Sequence, residues 1–195
     1  MKKSKSKNTS VIAKLEKPIV LVGLPGCGKS TLGRIIAHKL KYHFFDSDFE
    51  IEQKVGMIIS DIFYFFNEDF FRKKEFETIK HLLTYKKTVI ATGGGAFANE
   101  ATHKLLTNKA VSIYIRTPVS EIVSRMQKKQ QASHRPLIDN CENMEEKYQQ
   151  LLTERQNYYE KANITLNWGN SADRSVLMDK IVTKLNEYVS TANNP

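Results

Sequence analysis

Residues 23–30 read Gly-Leu-Pro-Gly-Cys-Gly-Lys-Ser and match the phosphate-binding loop pattern Gly-x-x-x-x-Gly-Lys-Ser; Thr31 follows directly. In such a loop, backbone N–H groups surround the β-phosphate, the lysine reaches the β- and γ-oxygens, and the serine hydroxyl ligates Mg²⁺. An apolar, β-branched run at 18–22 precedes the loop and a helical apolar pattern follows it, which is the context an anion site needs. The residues predicted to bind a nucleoside triphosphate are Gly26, Cys27, Gly28, Lys29, Ser30 and Thr31.

Two carboxylates, Asp46 and Asp48, follow a second predicted strand at 42–45. Because they are two residues apart, both side chains lie on the same face of an extended segment. Phosphoryl transfer needs one carboxylate near Mg²⁺ and another near the attacking hydroxyl. The alternative is a structural role in which Asp48 is the N-cap of the next helix. The neighbouring phosphate loop favours the catalytic interpretation.

Three consecutive glycines, Gly93, Gly94 and Gly95, follow a third predicted strand at 88–92. Such a run reduces stability through chain entropy, and at a strand end it usually allows a ligand or another backbone to approach closely. Ligands of open parallel sheets bind at the carboxyl ends of the strands. We therefore expect the phosphate loop, the aspartates and the glycines to form one site.

Two arginines, Arg72 and Arg155, stand beside apolar residues on predicted helices. Their spacing alone favours ordinary ion pairs, such as Arg72 with Glu68 or Glu75.

A third arginine, Arg135, lies in the polar segment 127–136, which we interpret as a mobile loop. A guanidinium on such a loop can reach the transferring phosphoryl group after water has been expelled. Arg125, Lys128 and Lys129 are further candidates for this role.

The alternation of strands and helices predicts an α/β fold with a parallel sheet covered on both faces. We expect one domain at 17–190, a basic tail at 1–16 and a short tail at 191–195. No apolar run reaches the ~18 residues of a membrane span, and no apolar segment follows the basic N-terminus as in a signal peptide. Cys27 and Cys141 are expected to be reduced thiols of a cytoplasmic protein.

The formal net charge of +9 has two interpretations, nucleic-acid binding or a site for anionic small ligands. No basic stretch is interleaved with aromatic residues as single-strand binding would require. We therefore expect neither a nucleic-acid partner nor a membrane.

Together, these motifs resemble those of the shikimate kinases over about residues 18–190. The matching stretches are 23–31, 46–48, 71–75, 91–95, 135–137, and Arg155 with Tyr159 four residues later. The resemblance implies a three-layer fold like that of nucleoside monophosphate kinases, with a five-stranded parallel sheet in the order 2-3-1-4-5. It further implies substrate-binding helices at about 46–80 and a mobile lid at about 126–141.

The resemblance also implies a role for each candidate residue on the nucleotide side. Lys29 would hold the phosphates, Ser30 would ligate Mg²⁺, and Asp46 would reach the metal through bound water. Arg135 would close from the lid onto the ATP phosphates.

On the substrate side, the resemblance implies that Asp48 orients, and could deprotonate, the 3-hydroxyl of shikimate. Arg72 and Arg155 would clamp the substrate carboxylate, and Gly93, Gly94 and Gly95 would present backbone N–H groups to it. The implied reaction is ATP + shikimate → shikimate 3-phosphate + ADP, a step of aromatic amino acid biosynthesis, performed by a monomer.

The residues alone leave three other functions open. A kinase of the same fold could act on gluconate or a nucleoside monophosphate. A regulatory GTP switch would need Asn-Lys-x-Asp, and the nearest stretch, 108–111, reads Asn-Lys-Ala-Val. A nucleic-acid-dependent ATPase rests on the net charge alone.

Overall fold

The computed structural model describes residues 15–132, 143–169 and 174–192. The strands in this part of the chain are β1 (Ile19–Val22), β2 (His43–Asp46), β3 (Thr88–Ala91), β4 (Val111–Arg116) and β5 (Ile164–Asn167). The helices are α1 (Lys29–Leu40), α2 (Ser47–Val55), α3 (Ile59–Phe65), α4 (Glu68–Leu82), α5 (Glu100–Lys109), α6 (Val119–Ala132), α7 (Met144–Tyr159) and α8 (Arg174–Ala192). A short 3₁₀ turn covers Ala96–Ala98.

The strands form one parallel sheet in the order β2-β3-β1-β4-β5, which confirms the predicted fold class and strand order. The central strand β1 has four apolar residues and all four are buried, as expected for a strand covered by helices on both faces. Its register pairs Val20 with Ile90 of β3 and Leu21 with Ile113 of β4. The main core is built on this sheet.

The register of β2 against β3 brings two of the predicted motifs together. Asp46, the last residue of β2, is paired with Ala91, the last residue of β3. The aspartates and the glycine run therefore leave the sheet side by side. The phosphate loop leaves the neighbouring strand β1 at the same edge.

Helices α2, α3 and α4 pack around a second, smaller apolar core of Ile51, Ile62 and Phe71. Gly56 ends α2 with a φ of 75°, a left-handed conformation that glycine adopts without strain. Asn67 begins α4, and its side chain accepts a hydrogen bond from the Phe70 N–H at 2.9 Å. The substrate-binding region predicted at 46–80 thus has a core of its own.

Three boundaries differ from the sequence prediction. Helix α6 continues to Ala132, so the first half of the segment interpreted as a loop is helical. Gln and Lys are good helix formers, and an amphipathic helix already under way extends through them. Leu15, assigned to the N-terminal tail, is buried in the core, and α8 runs past the predicted domain end to Ala192.

The predicted lid at 126–141 is described only as far as the end of α6. Residues 133–142, including Arg135 and Cys141, lie outside the described residues. Across the described parts of the chain, none of the helices combines the length and the apolar character that crossing a membrane requires.

Candidate active site

The phosphate loop connects β1 to α1, and Gly28 at the start of α1 has a φ of 104°. The Lys29 ammonium donates hydrogen bonds of 2.8 Å to the carbonyl oxygens of Gly23 and Leu24. Lys29 is buried for a lysine, at 8% exposed, because its chain folds back over the loop. A positive charge and the N-terminus of a helix therefore lie at the same point, where both attract an anion.

Ser30, in the first turn of α1, is hydrogen-bonded to Asp46 at the end of β2. The Ser30 hydroxyl donates to Asp46 Oδ2 at 2.6 Å. The other oxygen, Oδ1, accepts from the Asp48 N–H at 3.2 Å. Asp46 is therefore the N-cap of α2, and the capping role considered for Asp48 belongs to its neighbour.

Asp48 is left without a capping role, and its Oδ1 is buried with no hydrogen-bond partner among the described residues. Burial raises the pKa of Asp48 to about 6; the negative charges of Asp46 and Glu75 act in the same direction and Lys29 opposes them. A carboxylate in this environment binds a proton, or a hydroxyl donor, more readily than a solvated aspartate does.

Arg72 makes both of the ion pairs that its spacing predicts. It donates to Glu75 at 2.7 Å and, through two nitrogens, to Glu68 at 2.9 and 3.1 Å. The Glu75 side chain is 1% exposed, whereas that of Glu68 is 65% exposed. Burial raises the pKa of Glu75, and the positive charges of Arg72 and Arg155 oppose that rise.

The three glycines allow close approach by charged side chains and by the phosphate loop. A Cβ at Gly93 would lie 2.7 Å from Glu75 Oε1 and 2.8 Å from Asp48 Oδ1. One at Gly95 would lie 2.7 Å from an Arg72 nitrogen, and one at Gly94 would lie 2.6 Å from Pro25. These distances leave no room for a side chain.

Arg155 lies on α7 near the same glycines. Its charge counteracts the effect of burial on the pKa values of Glu75 and Tyr159, so it is near both side chains. The Tyr159 hydroxyl donates to the Gly94 carbonyl oxygen at 2.5 Å. Asp48, Arg72 and Arg155 thus lie around one segment of the chain, the three glycines at 93–95.

A cavity of about 300 Å³ opens between the phosphate loop and this segment. Its wall on the loop side includes Lys29, Ser30 and Thr31. On the opposite side it is lined by Asp46, Asp48 and Gly94. Groups that could hold a triphosphate and groups that could orient a hydroxyl therefore share one cavity.

A family model described as Shikimate kinase matches residues 25–186. The chain belongs to the shikimate kinase family. A shikimate kinase from Bartonella henselae is 34% identical over 191 residues, which cover 98% of this chain and 89% of that one. One from Bradyrhizobium diazoefficiens is 42% identical over 166 residues, which cover 85% of this chain and 76% of that one.

The solved structures include a shikimate kinase from Acinetobacter baumannii in complex with shikimate. It superposes with a TM-score of 0.76 at 31% identity, covering 96% of this chain and 99% of that chain. Shikimate kinases are ATP-dependent enzymes, so the match supports the kinase interpretation over a regulatory switch.

The structure adds two residues of this chain, Glu75 and Trp168, to the candidate active site that the sequence did not predict there. Glu75 is the buried partner of Arg72; its spacing of three residues from that arginine was the available signal.

The second is Trp168, which is 9% exposed and packs against the phosphate loop. A Cβ at Gly28 would lie 2.9 Å from its indole nitrogen, and the Arg125 guanidinium lies 5.8 Å from its ring centre. Arg125 also donates to the Cys27 carbonyl oxygen at 3.4 Å. The end of β5 reaches the phosphate loop only in the folded chain, so the spacing of residues in the sequence could not predict that Trp168 lies there.

Proposed function

We propose that this chain transfers the γ-phosphoryl group of ATP to the 3-hydroxyl of shikimate, using the residues that line the cavity beside Lys29. The observation that carries the proposal is the Oδ1 of Asp48, which is buried beside that cavity and has no hydrogen-bond partner in the part of the chain that the structure describes. An acceptor oxygen in this position costs folding free energy unless a ligand supplies a donor. A substrate hydroxyl supplies one.

The triphosphate binds along the loop in this proposal. The backbone N–H groups of the loop and the N-terminus of α1 contact its oxygens, and Lys29 turns from the Gly23 and Leu24 carbonyls toward the β- and γ-phosphates. The contacting residues are Gly26, Cys27, Gly28, Lys29, Ser30 and Thr31.

Ser30 and Asp46 fit an Mg²⁺ site. They present a hydroxyl and a carboxylate oxygen 2.6 Å apart, and Mg²⁺ prefers oxygen donors. Mg²⁺ is usually held by one or two carboxylates together with substrate phosphates. When bound, the ion would neutralise charge on the β- and γ-phosphates.

The substrate carboxylate binds to Arg72 and Arg155. Arg72 has five N–H donors, and its ion pairs with Glu68 and Glu75 engage three of them. The two donors that are left can donate to a carboxylate in the forked geometry that lysine cannot provide. The Gly93 N–H donates to the Ser47 hydroxyl at 3.1 Å, so of the three glycines predicted to contact the substrate, Gly94 and Gly95 are the ones proposed to offer N–H groups to the same ligand.

Asp48 orients the 3-hydroxyl. The hydroxyl oxygen attacks the γ-phosphorus as the bond to the ADP oxygen breaks, and the hydroxyl proton passes to the Asp48 carboxylate. The charge of Lys29 stabilises the transferring group. Arg135, which lies outside the described residues, is proposed from the family resemblance to add a second positive charge from the lid.

The cellular setting and the oligomeric state of the enzyme are also part of the proposal. Cys27 is a free, fully buried thiol, as expected in a reducing compartment, so we place the enzyme in the cytoplasm. The net positive charge of the chain suits anionic small ligands, and we propose neither a nucleic-acid partner nor a membrane partner. We propose that it works as a monomer with one kinase domain.

An acceptor panel with detection of ADP tests this proposal. Purified protein with ATP and Mg²⁺ is offered shikimate, gluconate, a nucleoside monophosphate or single-stranded DNA. We expect ADP release that depends on shikimate, and loss of that release in Lys29→Met. Turnover with gluconate, the nucleotide or DNA but not with shikimate would refute the substrate assignment.

A further inference from the structure

The hydroxyl of Tyr159 makes a long-range hydrogen bond at the centre of the site. It donates to the Gly94 carbonyl oxygen at 2.5 Å, across 65 positions in the sequence. The side chain is fully buried, and its ring stacks on that of Tyr114 from β4 with centroids 5.1 Å apart. The ring is therefore held by packing, and the hydroxyl donates to the Gly94 carbonyl oxygen while it accepts a hydrogen bond from the Arg155 side chain.

That carbonyl belongs to a peptide that also touches the phosphate loop. A Cβ at Gly94 would lie 2.6 Å from Pro25, so Gly94 is confined between Pro25 and the Tyr159 hydroxyl. The flanking glycines contact the Asp48 carboxylate and the Arg72 guanidinium. A shift of the Gly94 peptide would therefore move the backbone against which both side chains lie.

The same hydrogen bond constrains Arg155. Arg155 and Tyr159 are four residues apart on α7 and so share one face of the helix. Burial raises the pKa of the Tyr159 hydroxyl well above its ordinary value, so it stays protonated and remains a donor. The bond to Gly94 thus fixes α7, and with it Arg155, relative to the glycines.

We propose that Tyr159 is a positioning residue for the acceptor side of the site. It holds the Gly94 peptide against Pro25 and sets the separation between the Arg155 face of α7 and the segment that carries Asp48 and Arg72. It contacts neither ATP nor the transferring phosphoryl group. The inference rests on the proposed shikimate kinase activity and concerns how the acceptor is aligned with the phosphate loop.

Tyr159→Phe tests this role because it removes the hydroxyl and keeps the stacked ring. The matched control is Tyr148→Phe, a buried tyrosine on the same helix. Steady-state kinetics are measured for the wild type and both variants with shikimate and ATP varied in turn, together with the melting temperature of each.

For Tyr159→Phe we expect kcat/KM for shikimate to fall about fivefold or more, as the loss of a neutral hydrogen bond predicts. KM for ATP should stay within about twofold of the wild type, and Tyr148→Phe should match the wild type in every parameter.

Wild-type kinetics in Tyr159→Phe would overturn the inference. So would equal losses for ATP and shikimate, or losses matched by Tyr148→Phe, because a general structural role predicts them. A wild-type protein that is inert toward shikimate would instead overturn the proposed function itself, and the substrate named here with it.

Discussion

Two carboxylate oxygens that have no hydrogen-bond partner among the described residues, one of Asp48 and one of Glu75, converge on Gly93. Asp48 Oδ1 and Glu75 Oε1 lie 2.8 and 2.7 Å from the position that a Cβ on this glycine would take, and both atoms are buried. The negative charge of Glu75 is one of the factors that raise the pKa of Asp48. Two carboxylates that approach the same face of one glycine store free energy that a substrate with hydroxyl donors can release.

This arrangement predicts that Asp48→Asn stabilises the protein at neutral pH. The pKa of Asp48 rises from 3.8 to about 6 in the folded state, so the folded protein binds a proton between pH 4 and 6 that the unfolded chain does not bind. The free energy of unfolding therefore falls as the pH rises through this window. At pH values above 6, removing the charge should raise the free energy of unfolding by an amount on the order of 1–3 kcal/mol.

Thermal melts of the wild type and Asp48→Asn from pH 4 to pH 8 check this expectation. The difference should be largest above pH 6 and vanish near pH 4. Asp179→Asn, at an exposed position on α8, is the control and should show no such trend. A variant that is less stable than the wild type at pH 8 would contradict the assignment of strain to Asp48.

The pKa of Asp48 should also set the acid limb of the pH–rate profile. Asp48 must be ionised to accept the hydroxyl proton, and its pKa is governed first by its burial and then by the charges of Asp46, Glu75, Lys29 and Glu52 around it. We expect kcat/KM for shikimate to be half-maximal near pH 6 and to fall about tenfold per pH unit below it. A profile that stays flat down to pH 5 would remove Asp48 from this role.

Arg72→Lys should separate the two substrates. A lysine keeps the positive charge but loses the planar fork that holds Glu68 and Glu75 and could hold a carboxylate. We expect KM for shikimate to rise about 10–100-fold while KM for ATP changes little. Arg116→Lys, in the exposed ion pair with Glu160, is the matched control. Equal effects on both KM values would show that Arg72 is structural.

Trp168 should report nucleotide binding by its fluorescence. It is the single tryptophan of the chain and its indole nitrogen packs against Gly28 of the phosphate loop. Adding ATP with Mg²⁺ should change its emission in a saturable way, and shikimate alone should change it much less. The signal should disappear in Trp168→Phe. A fluorescence change on adding shikimate, with none on adding ATP, would contradict the proposal that the nucleotide binds beside Trp168.

Much of this site was predictable because it follows local rules. The phosphate loop and the order of helices and strands come from spacing and apolar pattern, and parallel strands bring their carboxyl ends to one edge. The contacts of Arg72 with Glu68 and Glu75 follow from helical geometry.

Other features depend on distances across the fold. The bond from Tyr159 to Gly94 and the packing of Trp168 on Gly28 each join segments that come together only after folding. The extension of α6 to Ala132 was missed because polar residues without an apolar pattern read equally as helix or loop.

The most direct test of the account is to identify the product. Purified protein is incubated with ATP, Mg²⁺ and shikimate, and the product is examined by mass spectrometry and by ³¹P–¹H correlation NMR, beside reactions with Asp48→Asn and Lys29→Met. We predict one phosphate on the 3-hydroxyl of shikimate with the wild type and almost none with either variant. Unmodified shikimate with the active wild type, or undiminished product with Asp48→Asn, would contradict it.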